Sequence, residues 1–564
     1  MAVSPKDMQI LELKDSINRL NKTIDGLNDT ISGLNKNLEE ARNKEAIMQE
    51  QIDYLKKKLF GRSSEKHVVN EDQIRLFDEA EIEADISMEG LDETEETVTE
   101  VKAHTRKHKK TNNDKFASLE IEEVLLEIPD SKLKCKQCGG KLVYVGKEFV
   151  REELIFIPAK LRRIHYYTAT YKCIPCCEGK TDANRGYLVK RVAPKPLMKH
   201  SPASASIVSW LMHQKYANAL PLYRLEKDLK LQFNAELSRA TLANWIIYCA
   251  KNYLKPLYDY FYEILIKRKY LMADETPLQV LKSPNKNEEE VKEGKKTVNK
   301  KAYMWLLRTG EFDELKIVLF FYADSRAKTV AESLLNGFKG YLITDGYKGY
   351  NNLADIIHCV CWAHVRRDFT DAIPKNQEKD MSLPAVQAVA YINKLFDYER
   401  KSKELHHNAE QRKEYRLKNE KPVIDAFWRW IEKQTPIKKS QLDKAISYAR
   451  NHKQLLENYL EDGNCSLSNN LSENAIRPFT VGRKNWLFSD TPKGAEASAI
   501  CYTMVEIAKA NDLNPMKYLN YILSNRLPDK PEQSDFEKLV PWNPDVQEEC
   551  SSTPKNKQTT AILS

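Results

Sequence analysis

A chain of 564 residues is long enough for about three to five domains. Hydrophobic residues make up 41% of it, enough for real cores, while 30% charged residues and no apolar run of about 18 positions argue against a membrane-embedded protein. The formal net charge of +8 leans towards polyanionic partners, and the eleven cysteines suit thiols or metal ligands better than a disulfide framework. The opening MAVSPKDMQI lacks the basic-then-apolar layout of a secretory signal, so the expected compartment is the cytoplasm.

Residues 8–60 carry an apolar seam. Ile10, Ile17, Ile24, Ile31, Leu38, Ile52 and Leu59 share one heptad register, broken only by Glu45. Leu13, Leu20, Leu27, Leu34, Ala41, Met48 and Leu55 share the other. Steps of three and four sustained in this way predict a coiled coil over 1–66, and mostly Ile in one register with Leu in the other favours a parallel homodimer. Residues 71–100 are acidic and 102–110 (KAHTRKHKK) basic, as expected of a solvated linker over 67–115.

Two CxxC knuckles follow, Cys135–Cys138 and Cys173–Cys176, separated by strand-like sequence. Paired thiolates at this spacing supply the four ligands of a structural Zn²⁺, which predicts a zinc ribbon over 116–195, with Cys177 competing with Cys176 for the fourth position. Residues 196–262 read as helical. Within them LYRLEKDL (Leu222–Leu229), a short linker and a second helix capped by Ser238 resemble a helix-turn-helix. Arg239, Thr241 and Asn244 would sit on its polar side and face DNA.

From Lys269 the pattern changes to strands: KYLMADETPLQVL, YMWLLRTG and KIVLFFYAD, then a helix, then YLIT, then Ile356–Cys361. The order β-β-β-α-β-α/β is that of a ribonuclease-H-like sheet, whose first and fourth strands are neighbours. The first carries Asp274, and the fourth stops at Asp345-Gly346, where glycine lets the chain turn and leaves the acid at the sheet rim. These two carboxylates are therefore expected to meet. Glu275 competes with Asp274, although adjacent strand residues point to opposite faces.

Residues 376–466 read as a helical insertion, with an aromatic patch at Phe427, Trp428 and Trp430 expected to pack between helices. Beyond it, 467–527 would complete the core. Ser472 or Asn470 is expected to cap a helix with Glu473 in its first turn, so that Glu473 becomes a third acid. Arg477, Arg483 and Lys484, beside Trp486, are candidate contacts to a phosphate backbone. Residues 528–564 read as a tail that is disordered apart from the segment around Trp542.

Several long stretches now coincide with one family. The leading coil, LFGRSSEK, the paired knuckles, ADET around Asp274, TDGYKGY, CWAHVRRDF, NNLSENAIRPFTVGRKNWLFSDTPKGAEASA and LVPWNP resemble the transposases of the insertion-sequence-66 class, a branch of the DDE transposases. The resemblance runs nearly end to end. It implies a ribonuclease-H-like core interrupted by an all-α insertion, with Asp274, Asp345 and Glu473 as catalytic acids. These would hold two Mg²⁺ (or Mn²⁺) ions, roughly 3.5–4 Å apart in such sites. Double-stranded DNA, both transposon ends and target, becomes the expected partner, and accessory proteins of the same element are compatible with this. His364 and Arg366 become candidates for the active site or the DNA. Asn474 departs from the family, which usually has Arg or a similar residue after the glutamate. A non-catalytic DNA-binding regulator and a nuclease without strand transfer are the rival readings.

Overall fold

The computed structural model describes residues 20–35, 37, 48, 159–172, 188–190, 192–282, 301–375 and 377–552. The four knuckle cysteines, most of the heptad seam, the charged linker and the segment 283–300 lie outside the described residues. The chain divides into two units, Met1–Leu119 with Thr435–Ala445, and Glu120–Gln434 with Ile446–Ser564. In the first, residues 20–35 form a helix that runs through Gly26 and Gly33, and Leu20, Ile24, Leu27, Ile31 and Leu34 are all more than half exposed along it. They form an apolar stripe at heptad spacing.

In the second unit, strands β1 (Thr170–Lys172) and β2 (Leu188–Lys190) pair antiparallel. Helices α1 (Ala205–Met212), α2 (Leu222–Phe233), α3 (Arg239–Cys249) and α4 (Lys255–Leu265) follow. Ser204 and Ser238 cap α1 and α3 by accepting the N–H groups of Ile207 and Thr241, which satisfies donors that a helix start leaves open. Asn234, in the left-handed region, terminates α2.

The sheet comprises β3 (Tyr270–Gln279), β4 (Lys301–Thr309), β5 (Val318–Ala323), β6 (Gly340–Thr344) and β7 (Ile356–Val360), in the spatial order β5-β4-β3-β6-β7. The strands β3, β4 and β5 run antiparallel in turn, whereas β3–β6 and β6–β7 are parallel. Helix α5 (Lys328–Leu334) lies in the β5–β6 connection. The first and fourth strands are neighbours, as the element order requires. Leu271, Met272, Ala273, Leu342 and Ile343 are all fully buried, the pattern of parallel strands covered on both faces. Each buried Leu or Ile contributes about 1.5–3 kcal/mol, which fixes the central pair firmly. On edge strand β5, the N–H of Phe320 donates to Thr503 Oγ1 and its carbonyl accepts from the Tyr258 hydroxyl, both at 2.9 Å, so the backbone groups there are not left open.

Helix α6 (Trp362–Asp371) leaves β7, and the insertion adds α7 (Pro384–Glu404), α8 (Ala409–Asn419), α9 (Lys421–Glu432) and α10 (Gln441–Asn451). Phe427 and Trp428 are buried, with Phe427 5.6 Å from Trp362 and 6.1 Å from Phe369 between ring centroids, so the aromatic patch packs helix against helix as expected. Helices α11 (Asn470–Trp486), α12 (Pro492–Ala510) and α13 (Pro515–Ser524) return to the sheet and to the first helices.

The end of the chain is packed around Trp542, the segment set apart in the sequence, and also beyond it. Helices α14 (Gln533–Glu537) and α15 (Pro544–Cys550) are present. Phe536 stacks on Tyr260 at 4.8 Å, Trp542 packs on Phe261 at 5.9 Å, and Leu539, Val540 and Val546 are buried. A few large apolar side chains among many polar ones anchor this segment on α4, which average composition hides. Among the described residues no helix is long and apolar enough to cross a membrane.

Candidate functional site

The site lies where β6 ends beside the middle of β3. Their parallel register aligns Tyr270 with Tyr341, Leu271 with Leu342 and Met272 with Ile343. Carried two residues past the ladder, that register brings Asp274 level with Asp345, whose charge acts on the Asp274 carboxyl. Gly346, at φ +86°, turns the chain immediately after the acid. A Cβ there would fall 2.5 Å from the Tyr448 hydroxyl, which donates to the Asp345 carbonyl, so both conformation and space require glycine. The Asp345 carboxylate accepts the N–H of Tyr347 at 2.9 Å.

Glu473 arrives from the other side, in the first turn of α11. The cap is neither Ser472 nor Asn470. Asn469 is the N-cap residue, and its side chain makes no capping bond within α11. It is fully buried and donates through Nδ2 to the Ala273 carbonyl at 2.8 Å, so it fastens the helix start to β3 one residue before Asp274. Ser472, inside the turn, donates back to Asn469. Arg308 Nη1 donates to the Leu471 carbonyl at 2.9 Å and adds a second tie.

The three acids share one electrostatic neighbourhood. Burial, followed by the negative charges of Glu275, Asp345 and Glu473, pushes the Asp274 carboxyl up to about 8, against the opposing N–H of Glu275. Glu275 itself is raised by burial and by Asp345, but its two oxygens are taken: Arg326 Nε donates to Oε1 and the Tyr350 hydroxyl to Oε2, both at 2.7 Å. With its side chain 1% exposed, Glu275 is an internal counter-charge for Arg326 rather than an open ligand. Arg326 also lies 3.8 Å from Asp345 Oδ2 and stacks over the Tyr347 ring at 3.7 Å. The tyrosines after Asp345 thus hold the arginine and the glutamate that flank it.

On the opposite side, Arg367 Nη2 lies 3.1 Å from Glu473 Oε2 and His364 Nδ1 lies 3.6 Å from Glu473 Oε1. Burial and Arg367 lower the His364 pKa, against the pull of Glu473 and Asp345. Arg366, a sequence candidate, is turned away and donates to Asn393 of the insertion at 2.6 Å. The helical period explains this, because Arg367, not Arg366, shares the face of His364 at the i,i+3 spacing. That spacing was visible in CWAHVRRDF. Arg326 and Tyr350 carried no comparable local signal.

Among the other candidates, Arg239 and Asn244 are exposed on α3, and Thr241 is half-buried, with its hydroxyl 3.0 Å from the capping Ser238. Lys484 and Asn474 are exposed and Arg477 is half-buried. Arg483 is committed on one nitrogen to β3, donating to Thr276 Oγ1 at 3.1 Å and to the Pro277 carbonyl. It ties α11 to the strand that carries Asp274. Trp486 packs on Phe479 at 5.5 Å instead of standing free beside the cations.

A family model described as Transposase IS66 family matches residues 200–497, more than half of the 564-residue chain. The chain belongs to the IS66 transposase family. Three further models of the same transposases agree: the zinc-finger binding domain at 132–178, the leucine-zipper model described as Transposase C of IS166 homeodomain at 47–124, and the C-terminal element at 503–542. The zinc-finger match encloses both CxxC knuckles, and the C-terminal match covers the segment anchored through Phe536 and Trp542. Similar proteins of Sinorhizobium fredii include uncharacterized protein y4qI, 28% identical over 494 residues and covering 84% of each chain. Uncharacterized protein y4hP is 25% identical over 519 residues, covering 87% of each. This IS66 member therefore pairs zinc-finger and helical N-terminal regions with a mixed sheet whose rim gathers carboxylates.

Proposed function

We propose that this chain is a DDE-type DNA transposase that frees a 3′-OH at each transposon end and joins it to target DNA, with Asp274, Asp345 and Glu473 as its catalytic acids on a ribonuclease-H-like core. The observation that carries this reading is the β3–β6 register, which brings Asp274 level with Asp345, with Glu473 near enough to raise the Asp274 pKa. Membership of the IS66 family supports transposition as the activity.

The donor set fits hard divalent cations of the magnesium type, because all three groups are carboxylates and such ions take oxygen ligands, and a bound cation would release the proton that Asp274 otherwise retains. When bound, such ions polarise phosphoryl oxygens and make water a nucleophile near neutral pH. The chain's own residues prepare the site. Gly346 keeps Asp345 at the open rim, Asn469 fixes the height of Glu473 against β3, and Arg326 and Arg367 orient the flanking carboxylates. A phosphodiester entering this rim would meet Arg367, which is half exposed. Water and then the freed 3′-OH would attack in the same place, so no covalent protein–DNA intermediate forms.

Arg239, Thr241 and Asn244 on α3, with Arg477 and Lys484 on α11, are the proposed DNA contacts. Structural Zn²⁺ on Cys135, Cys138, Cys173 and Cys176 is proposed to stiffen the N-terminal grip. The exposed heptad stripe supports a homodimer through residues 8–60, one protomer for each transposon end. Cleavage of labelled transposon-end DNA, followed by a strand-transfer assay, tests the proposal. Metal-dependent nicking at the ends and joined products are expected. Nicking without joining would make the protein a nuclease, and binding without nicking a regulator.

A further inference from the structure

Beside the carboxylates lies a second donor set of different chemistry. Cys361 follows β7, His364 sits in the first turn of α6 and Glu473 in the first turn of α11. One ligand atom from each lies within 4.8 Å of the other two. The spacing Cys361-Trp-Ala-His364 brings thiol and imidazole over one helical turn, but Glu473 is distant in sequence. It is held there partly by Cys361 itself, whose Sγ accepts the N–H of Asn469 at 3.0 Å.

Two of these atoms, His364 Nδ1 and Glu473 Oε1, are buried without a hydrogen-bond partner. Their separation of 3.6 Å is too long for a good hydrogen bond. It is close to the ~3.4 Å expected between neighbouring nitrogen and oxygen ligands of a tetrahedral ion with bonds near 2.0–2.2 Å. Arg367 engages the other oxygen, Oε2, and leaves Oε1 turned towards the imidazole. The side chains of His364 and Glu473 are 22% and 25% exposed, so solvent reaches the edge of the set.

We propose that Cys361, His364 and Glu473 form a second cation site, selective for a borderline-soft divalent ion of the zinc or cobalt type, with a fourth position open to water or a phosphate oxygen. One thiolate, one imidazole and one carboxylate discriminate against Mg²⁺, which takes oxygen ligands. Three protein ligands with an open position are the composition of a reactive zinc site rather than a closed structural one. The site shares Glu473 with the proposed catalytic acids, but binding of its ion does not require Asp274 or Asp345.

The test is metal stoichiometry of the full-length protein, stripped and titrated with Zn²⁺, and separately with Co²⁺ read through its visible and thiolate charge-transfer absorption. The expected result is two equivalents per chain. One is lost in Cys135→Ser, which reports the knuckles, and the other is weakened by at least about a hundredfold in both His364→Gln and Cys361→Ser. Asp274→Asn retains both equivalents even where end cleavage is abolished, which separates this inference from the catalytic reading. Circular dichroism melts identify loss of fold, and the half-buried His364 makes His364→Gln the safer variant. A wild type whose only equivalent is the one lost in Cys135→Ser, or a second equivalent that persists in both His364→Gln and Cys361→Ser, would overturn the site.

Discussion

The acids around Asp274 and the acids around Arg416 face the same electrostatic difficulty and meet it in different ways. In the insertion, the Arg416 side chain is fully buried and bidentate to Glu399, with Nε–Oε1 2.6 Å and Nη2–Oε2 3.0 Å, and its remaining nitrogen donates to the carbonyls of Tyr459 and Asp462. Burial opposes the Glu399 charge, yet Arg416 holds that carboxyl below its ordinary range. Glu420, left over, is pushed up to about 9 by burial and by Glu399, and takes the Tyr459 hydroxyl at 2.6 Å. One arginine and one retained proton therefore balance two glutamates. At the sheet rim, Arg326 faces Glu275 and Asp345 and Arg367 faces Glu473; even with the proton that Asp274 retains, one carboxylate more than the two arginines offset is left beside solvent. A closed cluster balances itself with protons and guanidinium groups, whereas an open one keeps a deficit that an incoming cation can fill.

The comparison breaks most sharply through the acids themselves. Asp274→Asn, Asp345→Asn and Glu473→Gln should each lower metal-dependent end cleavage by about four orders of magnitude while leaving DNA binding in a gel-shift assay. Retained cleavage in any one removes that residue from the site. In the closed cluster the loss falls on folding. Arg416→Met leaves Glu399 buried and unpaired, at a cost of about 3–5 kcal/mol in denaturant unfolding, and adding Glu399→Gln should recover much of it.

A pH series sharpens the contrast. The folded Asp274 carboxyl titrates at about 8, against roughly 3.9 for an unfolded aspartate. Between those values the native state holds a proton that the unfolded chain has released, so stability must fall as pH rises through the window. Without added Mg²⁺, melting temperatures should fall by a few degrees from about pH 5 to pH 8, and less so in Asp274→Asn. Added Mg²⁺ should offset the Asp274 share of that fall. It should leave untouched the share removed by Glu420→Gln, whose carboxyl lies in the closed cluster. The smallest effect is expected from Gly346→Ala, about 1–2 kcal/mol from the positive φ and the Tyr448 hydroxyl, with partial recovery in the double variant with Tyr448→Phe.

Much of this site was legible in the sequence because strand chemistry is local. The apolar run Tyr341–Thr344 ends where burial ends, and the order of strands alone makes the first and fourth neighbours. Ser238 likewise announced its cap. Residues that act across the fold were hidden. Arg326 reaches Glu275 and Asp345 only because α5 is preceded by a turn beside β3 and β6, and Asn469 is fastened to a strand 196 positions earlier. The Trp542 segment was set apart in the sequence, but the anchoring of Phe536 on α4 was hidden for another reason: a few large rings outweigh a polar average.

The ties at Asn469 have one more consequence. Trp362 N–H donates to the Leu467 carbonyl at 3.1 Å, and Asn469 N–H reaches Cys361 Sγ 108 positions away, so the chain departs and comes back through one stitched neck. The helices beyond α6 do not set the height of Glu473, which Asn469 fixes on β3, although Tyr448 of α10 still reaches the Asp345 carbonyl. Glu473 is in that sense placed by the neck, whereas the backbone at Asp345 is braced by the insertion itself.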